Sequence, residues 1–379
     1  PMNTVQRLET LTHMVSDNLN VNVMKFGNRL VAISDEAGEM ELDQENLDTL
    51  GLLAFNDTLS SKLAMITCAH PSQLPGDKYI YNYLVKVMGN IKHPGEMNLW
   101  QFYRIDTSAG DTLKREVVFE MPIKNGHSPY MHSFAHTENY IVMFEFPLFW
   151  EVMKIPLSVN ILPDMGWKPE NGTVVRVVDK NTWKVVEEYT IEPFFAYHHV
   201  NAFEDDATGD IVVDITTVPC ANSTGAASCE HMNAFEMRTL VNNSWPIPPN
   251  TFKRFTVPIK SGGKTIKSEV LSKTSFDLPH VNPERVGKKY TYVYGNGDHS
   301  AGVWWNSLVK VNVETGETLE WYEEDHYATE PNFLPRPGAT EEDDGILLST
   351  VLGGGDIQTS YLLVLDAKTM KPLARAKAM

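Results

Sequence analysis

Four segments of the chain share one arrangement of apolar and polar positions. They are FYRIDTSAGDTLKREVVFEMP (102–122), TVVRVVDKNTWKVVEEYTI (173–191), SLVKVNVETGETLEWYEE (307–324) and SYLLVLDAKTMKPLARAKA (360–378). In each, a β-branched or aromatic run alternates with polar residues, reaches an Asp or Asn, crosses a short polar turn and enters a second such run. Alternation with a period of two is the signature of a half-buried strand, and Asp, Asn, Thr and Gly supply the turn geometry, so each segment predicts a β-hairpin. A weaker copy lies at 28–51. KYIYNYLVKV and YIVMFEF read as further strands, whereas only the first dozen residues and 45–54 permit a short helix. The pattern predicts an all-β chain, as a sandwich, barrel or propeller. The units recur at irregular distances, so no fixed-period array is present.

One stretch breaks the pattern. Phe144–Pro163, FEFPLFWEVMKIPLSVNILP, is dense in Phe, Trp, Leu and Ile, but three prolines interrupt it and Glu145, Glu151 and Lys154 charge it. That excludes a membrane span. Two readings stand: a loop packed against the body of the β-structure, and an apolar rim near a substrate entrance in peripheral contact with a bilayer.

Composition narrows the function class. The formal net charge of −17 at pH 7, with no basic stripe to offset it, argues against a nucleic-acid partner. Hydrophobic residues at 42% and charged residues at 21% are those of a globular chain, read as a single domain over 1–379. Three cysteines, Cys68, Cys220 and Cys229, suit reduced thiols better than a disulfide framework, with a Cys220–Cys229 bridge left open. The run Glu341–Gly345 lacks the alternating ligand spacing of a calcium loop and reads as a solvated turn. No targeting segment is visible, and both ends read as cut.

The chemistry is carried by three histidines far apart in sequence: His70 in TCAHPS, His132 in MHSFAHTENYIVMFEFP, and His198 in FFAYHHVNAFED. Any site they share must be assembled by the fold, which a radially repeated architecture does by sending one strand per unit to a common axis. On a strand, His198 and His199 face opposite ways, so only one of them can serve.

Together the three strings resemble the carotenoid cleavage oxygenase family, which includes the retinoid isomerohydrolase of the eye and stilbene-cleaving bacterial enzymes. The resemblance implies a seven-bladed β-propeller with a loop-rich dome, truncated at both ends in this chain. It implies Fe(II) held by His70, His132 and His198, the last chosen over His199 because the family's H-x-x-N arrangement matches His198 with Asn201. Imidazoles without a ligating carboxylate need outer acceptors to orient them. The family's glutamates for this role match Glu330 in ATEPNFLPRP, more weakly Glu36 in AISDEAGE, and Asp277 in FDLPHVNP. Aspartate at 277 is one methylene short, so its hydrogen bond would need a backbone shift or a bridging water.

The implied reaction inserts dioxygen across a conjugated C=C bond of a carotenoid or apocarotenoid, giving two carbonyl products. The implied partners are a lipophilic polyene and dioxygen, in the cytoplasm or a plastid, at a membrane periphery. Two alternatives stand beside it: isomerohydrolase or stilbene-cleaving chemistry on the same scaffold, and a lipid-binding propeller without catalysis. The family's fourth histidine would lie beyond Met379, so the chain as written is expected to be a weak or inactive enzyme.

Overall fold

The computed structural model describes residues 19–36, 38–59, 64–87, 98–108, 110, 112–124, 128–150, 165–218, 220, 249–299, 305–354 and 359–377. All four strong hairpin expectations are met there, at Asn98–Asp106 with Arg115–Pro122, Thr173–Asp179 with Lys184–Ile191, Ser307–Asn312 with Thr318–Tyr322, and Tyr361–Asp366 with Pro372–Lys377.

The hairpins extend into four-stranded meanders that keep chain order. The first runs Asn22–Phe26, Arg29–Ile33, Met40–Leu42 and Thr49–Leu52. The second begins with Ala64–Thr67 and ends with Arg115–Pro122, the third spans 135–191, the fourth spans 199–272 and the fifth 276–322. A sixth, over 326–377, carries five strands. A small sheet stands apart from this series, with Leu148–Trp150 between Gly166–Trp167 and Ser128–Pro129.

The chain divides into two compact units, Pro1–Phe134 with Val142–Glu188 and Ala135–Ile141 with Tyr189–Met379. In the first unit, Phe26, Val31 and Ile33 of one meander pack with Ile80, Leu84 and Tyr103 of the next. In the second, Val200, Phe203 and Phe252 pack with Phe276, Val293 and Val311, and Leu308 with Leu347, Leu363 and Leu365. Every such side chain contributes about 1.5–3 kcal/mol on burial, which is why the inward positions of each strand are apolar.

The turns share one construction. Asp43–Leu47, Asp179–Trp183, Asp205–Gly209, Asn312–Gly316 and Asp366–Met370 each close with the fifth residue's N–H donating to the first residue's carbonyl at 2.7–3.0 Å. The opening Asp or Asn side chain accepts from amides inside the turn, as in Asp43 Oδ1 with the Glu45 and Asn46 N–H groups. The fifth residue takes positive φ, an easy position for Gly209 and Gly316 but a strained one for Leu47 at 64°. This turn also overrules the short helix expected at 45–54, because the Asp43 cap and left-handed Leu47 lead straight into the strand Thr49–Leu52.

A prediction follows from that strain. Leu47 is 64% exposed and loses little packing when replaced. Leu47→Asn, a residue that tolerates the left-handed region, should stabilise the chain by about 1 kcal/mol in chemical denaturation. An unchanged or lowered midpoint would count against the strain.

Three further expectations are corrected. Phe144, Phe146, Leu148 and Phe149 are buried, so the described part of the supposed apolar rim is core; residues 151–163 of it lie outside the described residues. The Glu341–Gly345 turn is braced rather than simply solvated, since Asp343 holds the buried Lys310 ammonium at 2.6 Å and Glu342 Oε1 accepts the Thr291 and Tyr292 amides. Cys68 is a free buried thiol, but Cys220 is disulfide-bonded, and Cys229 lies outside the described residues.

Candidate metal centre

Each sequence-selected histidine sits beside the first strand of a meander. His70 follows Ala64–Thr67, His132 precedes Ala135–His136, and His198 precedes His199–Glu204. Asp277 lies within Phe276–Val281, again the first strand of its meander.

In the first unit, His70 and His132 are brought together. Their Nε2 atoms are 3.0 Å apart, with the rings at 69° to one another. The backbone around them is stitched by side chains. The Cys68 thiol donates to the His132 carbonyl at 3.0 Å, the His70 N–H donates to that sulfur at 3.3 Å, and the Tyr83 hydroxyl donates to the Met131 carbonyl. Burial pushes the Cys68 thiol well above its ordinary range, with Asp35 adding to the effect, so it serves as a neutral donor.

Asp35 holds the pair in place. Its Oδ2 accepts from His132 Nδ1 at 2.7 Å and from the Tyr130 hydroxyl at 2.9 Å, while Oδ1 accepts the Ala69 N–H, next to His70, at 3.2 Å. The carboxylate therefore fixes the proton of His132 on Nδ1 and leaves its lone pair on Nε2. Sequence reading favoured Glu36 for this task, and the structure gives it to the preceding residue. Glu36 instead bridges Ile66 through its backbone and donates its N–H to Ser34 Oγ at 3.1 Å.

The second unit repeats the device. His198 Nδ1 donates to Asp277 Oδ1 at 2.7 Å, placing the imidazole lone pair on Nε2. Oδ1 also accepts from Thr216 Oγ1 at 3.0 Å and from the Leu278 N–H at 2.8 Å; Asn250 Nδ2 donates to Oδ2 at 3.0 Å. Burial raises the Asp277 carboxyl, but its interaction with His198 and these hydrogen bonds outweigh it, and the net shift is downward. The contact is direct, without the bridging water weighed for so short a side chain. A backbone shift makes it possible: the register slips between Asp277 and His280, and Leu278 sits at a φ of 50°. Neighbouring His199 opens the next strand, paired with Ile215, and burial together with His198 holds its pKa down to about 3.

Glu330 does not meet a candidate ligand in this arrangement. Its Oε1 lies 3.4 Å from His280 Nε2, both side chains being about one-third exposed. His326 is buried and sets its Nδ1 2.7 Å from the Glu324 carbonyl.

The donor set fits a divalent cation of borderline hardness. Two nitrogens that each lie about 2.1 Å from one ion, nearly at right angles, are separated by about 3 Å, and His70 and His132 show 3.0 Å. Asp35 in the first unit and Asp277 in the second each place a negative charge one remove from an imidazole, without occupying a coordination position.

Comparisons with known proteins agree with this chemistry. The family model described as retinal pigment epithelial membrane protein matches residues 2–379. A carotenoid isomerooxygenase of Galleria mellonella is 31% identical over 378 residues, covering 96% of this chain and 70% of that protein. Carotenoid cleavage dioxygenase 8 of Arabidopsis thaliana, a chloroplastic protein, is 30% identical over 376 residues, covering 96% of this chain and 62% of its own length. The chain thus spans less than two thirds of that relative. An apocarotenoid oxygenase variant from Synechocystis superposes with a TM-score of 0.79 at 22% identity, over 100% of this chain and 75% of that one. A cobalt-substituted form of the Synechocystis enzyme gives 0.77 at 22% identity, over 96% and 72%. At that identity the likeness carries the fold, a seven-bladed β-propeller.

Proposed function

The chain belongs to the retinal pigment epithelial membrane protein family, and on that premise we propose that it is a non-haem Fe(II) dioxygenase that cleaves a conjugated C=C bond of a carotenoid or apocarotenoid into two carbonyl products. The observation that carries the reading is the doubled device, in which an aspartate fixes Nδ1 of a histidine and turns Nε2 into a ligand, once at Asp35–His132 and once at Asp277–His198. In this reading His70, His132 and His198 serve one ion.

His70, His132 and His198 would hold Fe(II), which would supply the place where dioxygen is activated. The residues of the chain do the rest. Asp35 and Asp277 lock the imidazole tautomers and raise ligand basicity. Tyr130 steadies Asp35, and Cys68 fixes the distance between the backbones of His70 and His132. Cleavage demands no protein acid or base, which agrees with a site whose carboxylates are all engaged in holding imidazoles.

Metal analysis after anaerobic ferrous reconstitution, followed by turnover of a carotenoid panel under ¹⁸O-labelled dioxygen, tests the reading. The expected result is one iron per chain and, in whatever cleavage product forms, label in both carbonyls. Isomerised product without label would replace cleavage by isomerohydrolase chemistry. Failure to bind iron would remove the reading altogether.

A further inference from the structure

In the first unit, His132 is gripped on the carbonyls to either side of its Cα. The Met131 carbonyl accepts from the Tyr83 hydroxyl, and the His132 carbonyl accepts from the Cys68 thiol at 3.0 Å. The same sulfur accepts the His70 N–H at 3.3 Å, so one atom is bonded to the backbones of both histidines. Both donors are fully buried, and burial pushes the thiol and the phenol well above their ordinary ranges, so each keeps its proton. The clamp is itself held. Asn82 Nδ2 donates to the Cys68 carbonyl at 3.0 Å, Thr67 Oγ1 donates to the Tyr83 carbonyl at 2.7 Å, and the Tyr83 ring meets Trp100 edge-on at 4.9 Å. Asp35 sets the tautomer of His132, but where that ring stands relative to His70 follows from the two clamped backbones.

That placement discriminates between ions. With metal–nitrogen bonds of about 2.1 Å, two nitrogens at a right angle stand about 3.0 Å apart, and two at the tetrahedral angle about 3.4 Å apart. The Nε2 atoms of His70 and His132 stand 3.0 Å apart. We propose that Cys68 and Tyr83 are positioning residues that hold this pair at a right-angled bite, and so favour an ion of six-coordinate geometry, Fe(II) or Co(II), over tetrahedral Zn(II). Neither residue touches the ion or the substrate; each acts through the backbone of a histidine. This rests on the metal-binding part of the dioxygenase reading and adds to it what selects the metal. Releasing the clamp lets the imidazoles open by a few tenths of an ångström, which is the whole difference between the two geometries. A serine hydroxyl at 68 would donate to the same carbonyl over a shorter reach, so it keeps the clamp where alanine loses it.

The test loads the protein and its variants with Co(II) under anaerobiosis and reads the visible spectrum, in which a tetrahedral ion absorbs far more strongly than a six-coordinate one. Competition between Fe(II) and Zn(II) gives the affinity ratio. The intact protein should show the weak bands. Cys68→Ala and Tyr83→Phe should each intensify them and move the affinity ratio about tenfold toward zinc. Cys68→Ser should recover most of both. Circular dichroism verifies folding, and Tyr83→Phe, which keeps the packed ring, carries the test if Cys68→Ala does not fold. The clamp is overturned if the intact protein shows intense bands, if Cys68→Ala and Tyr83→Phe both match it, or if Cys68→Ser behaves as Cys68→Ala; the dioxygenase reading then stands. Weak-band cobalt in the intact protein, without cleavage of any polyene by its iron form, overturns that reading and leaves the clamp. Binding of no metal overturns both.

Discussion

His132→Ala and His198→Ala should each leave the chain unable to retain iron after anaerobic loading and desalting. The loss should exceed the roughly 10–100-fold that removal of an outer hydrogen-bond partner costs, because a coordinate bond is removed outright. His199→Ala is the matched control. It lies next to His198 but faces away along its strand, and it should keep its iron. Metal content by elemental analysis, with circular dichroism to verify folding, decides the matter. Retention of one iron per chain by either ligand variant would show that the three imidazoles do not serve one ion.

The second large effect is expected at Asp277. In Asp277→Asn, one amide end must face either Asn250 Nδ2 or the cluster of donors from His198, Thr216 and Leu278. Donor then meets donor whichever way the amide turns, and the charge that steadies the His198 proton is gone. Iron affinity should fall about 10–100-fold. Asp277→Glu is the more searching variant, since the resemblance assigns glutamate to this position. It should also weaken iron binding, because Asp277 is 1% exposed and the slipped register with left-handed Leu278 already brings the shorter carboxylate to 2.7 Å from His198. An added methylene has no room there. Unchanged or improved iron affinity in Asp277→Glu would show that the slip does not compensate for length.

The two histidine predictions draw on what sequence could reveal, and the aspartate prediction on what it could not. Hairpins were legible because their signals are local: alternation gives the strands, and an Asp or Asn opening a five-residue turn is visible by eye. The histidines were legible as separate strings; period two left room for only one of His198 and His199, and the resemblance, through Asn201, chose His198. Asp35 was not, since it stands next to an equally acidic Glu36 and the local pattern does not say which of the two turns toward His132. The direct reach of Asp277 depends on a leucine at positive φ, a conformation that leucine does nothing to announce. The run from Phe144 to Phe149 was misread as a rim for a similar reason. The small sheet that helps to bury it is built from strands of two or three residues, Ser128–Pro129, Leu148–Trp150 and Gly166–Trp167, too short to announce themselves.

Leu278 has a consequence for tolerance to change as well as for geometry. Lengthening the acid at 277 alone crowds a buried space, and straightening the backbone at 278 alone withdraws the carboxylate from its histidine, so the two positions should tolerate substitution together better than singly.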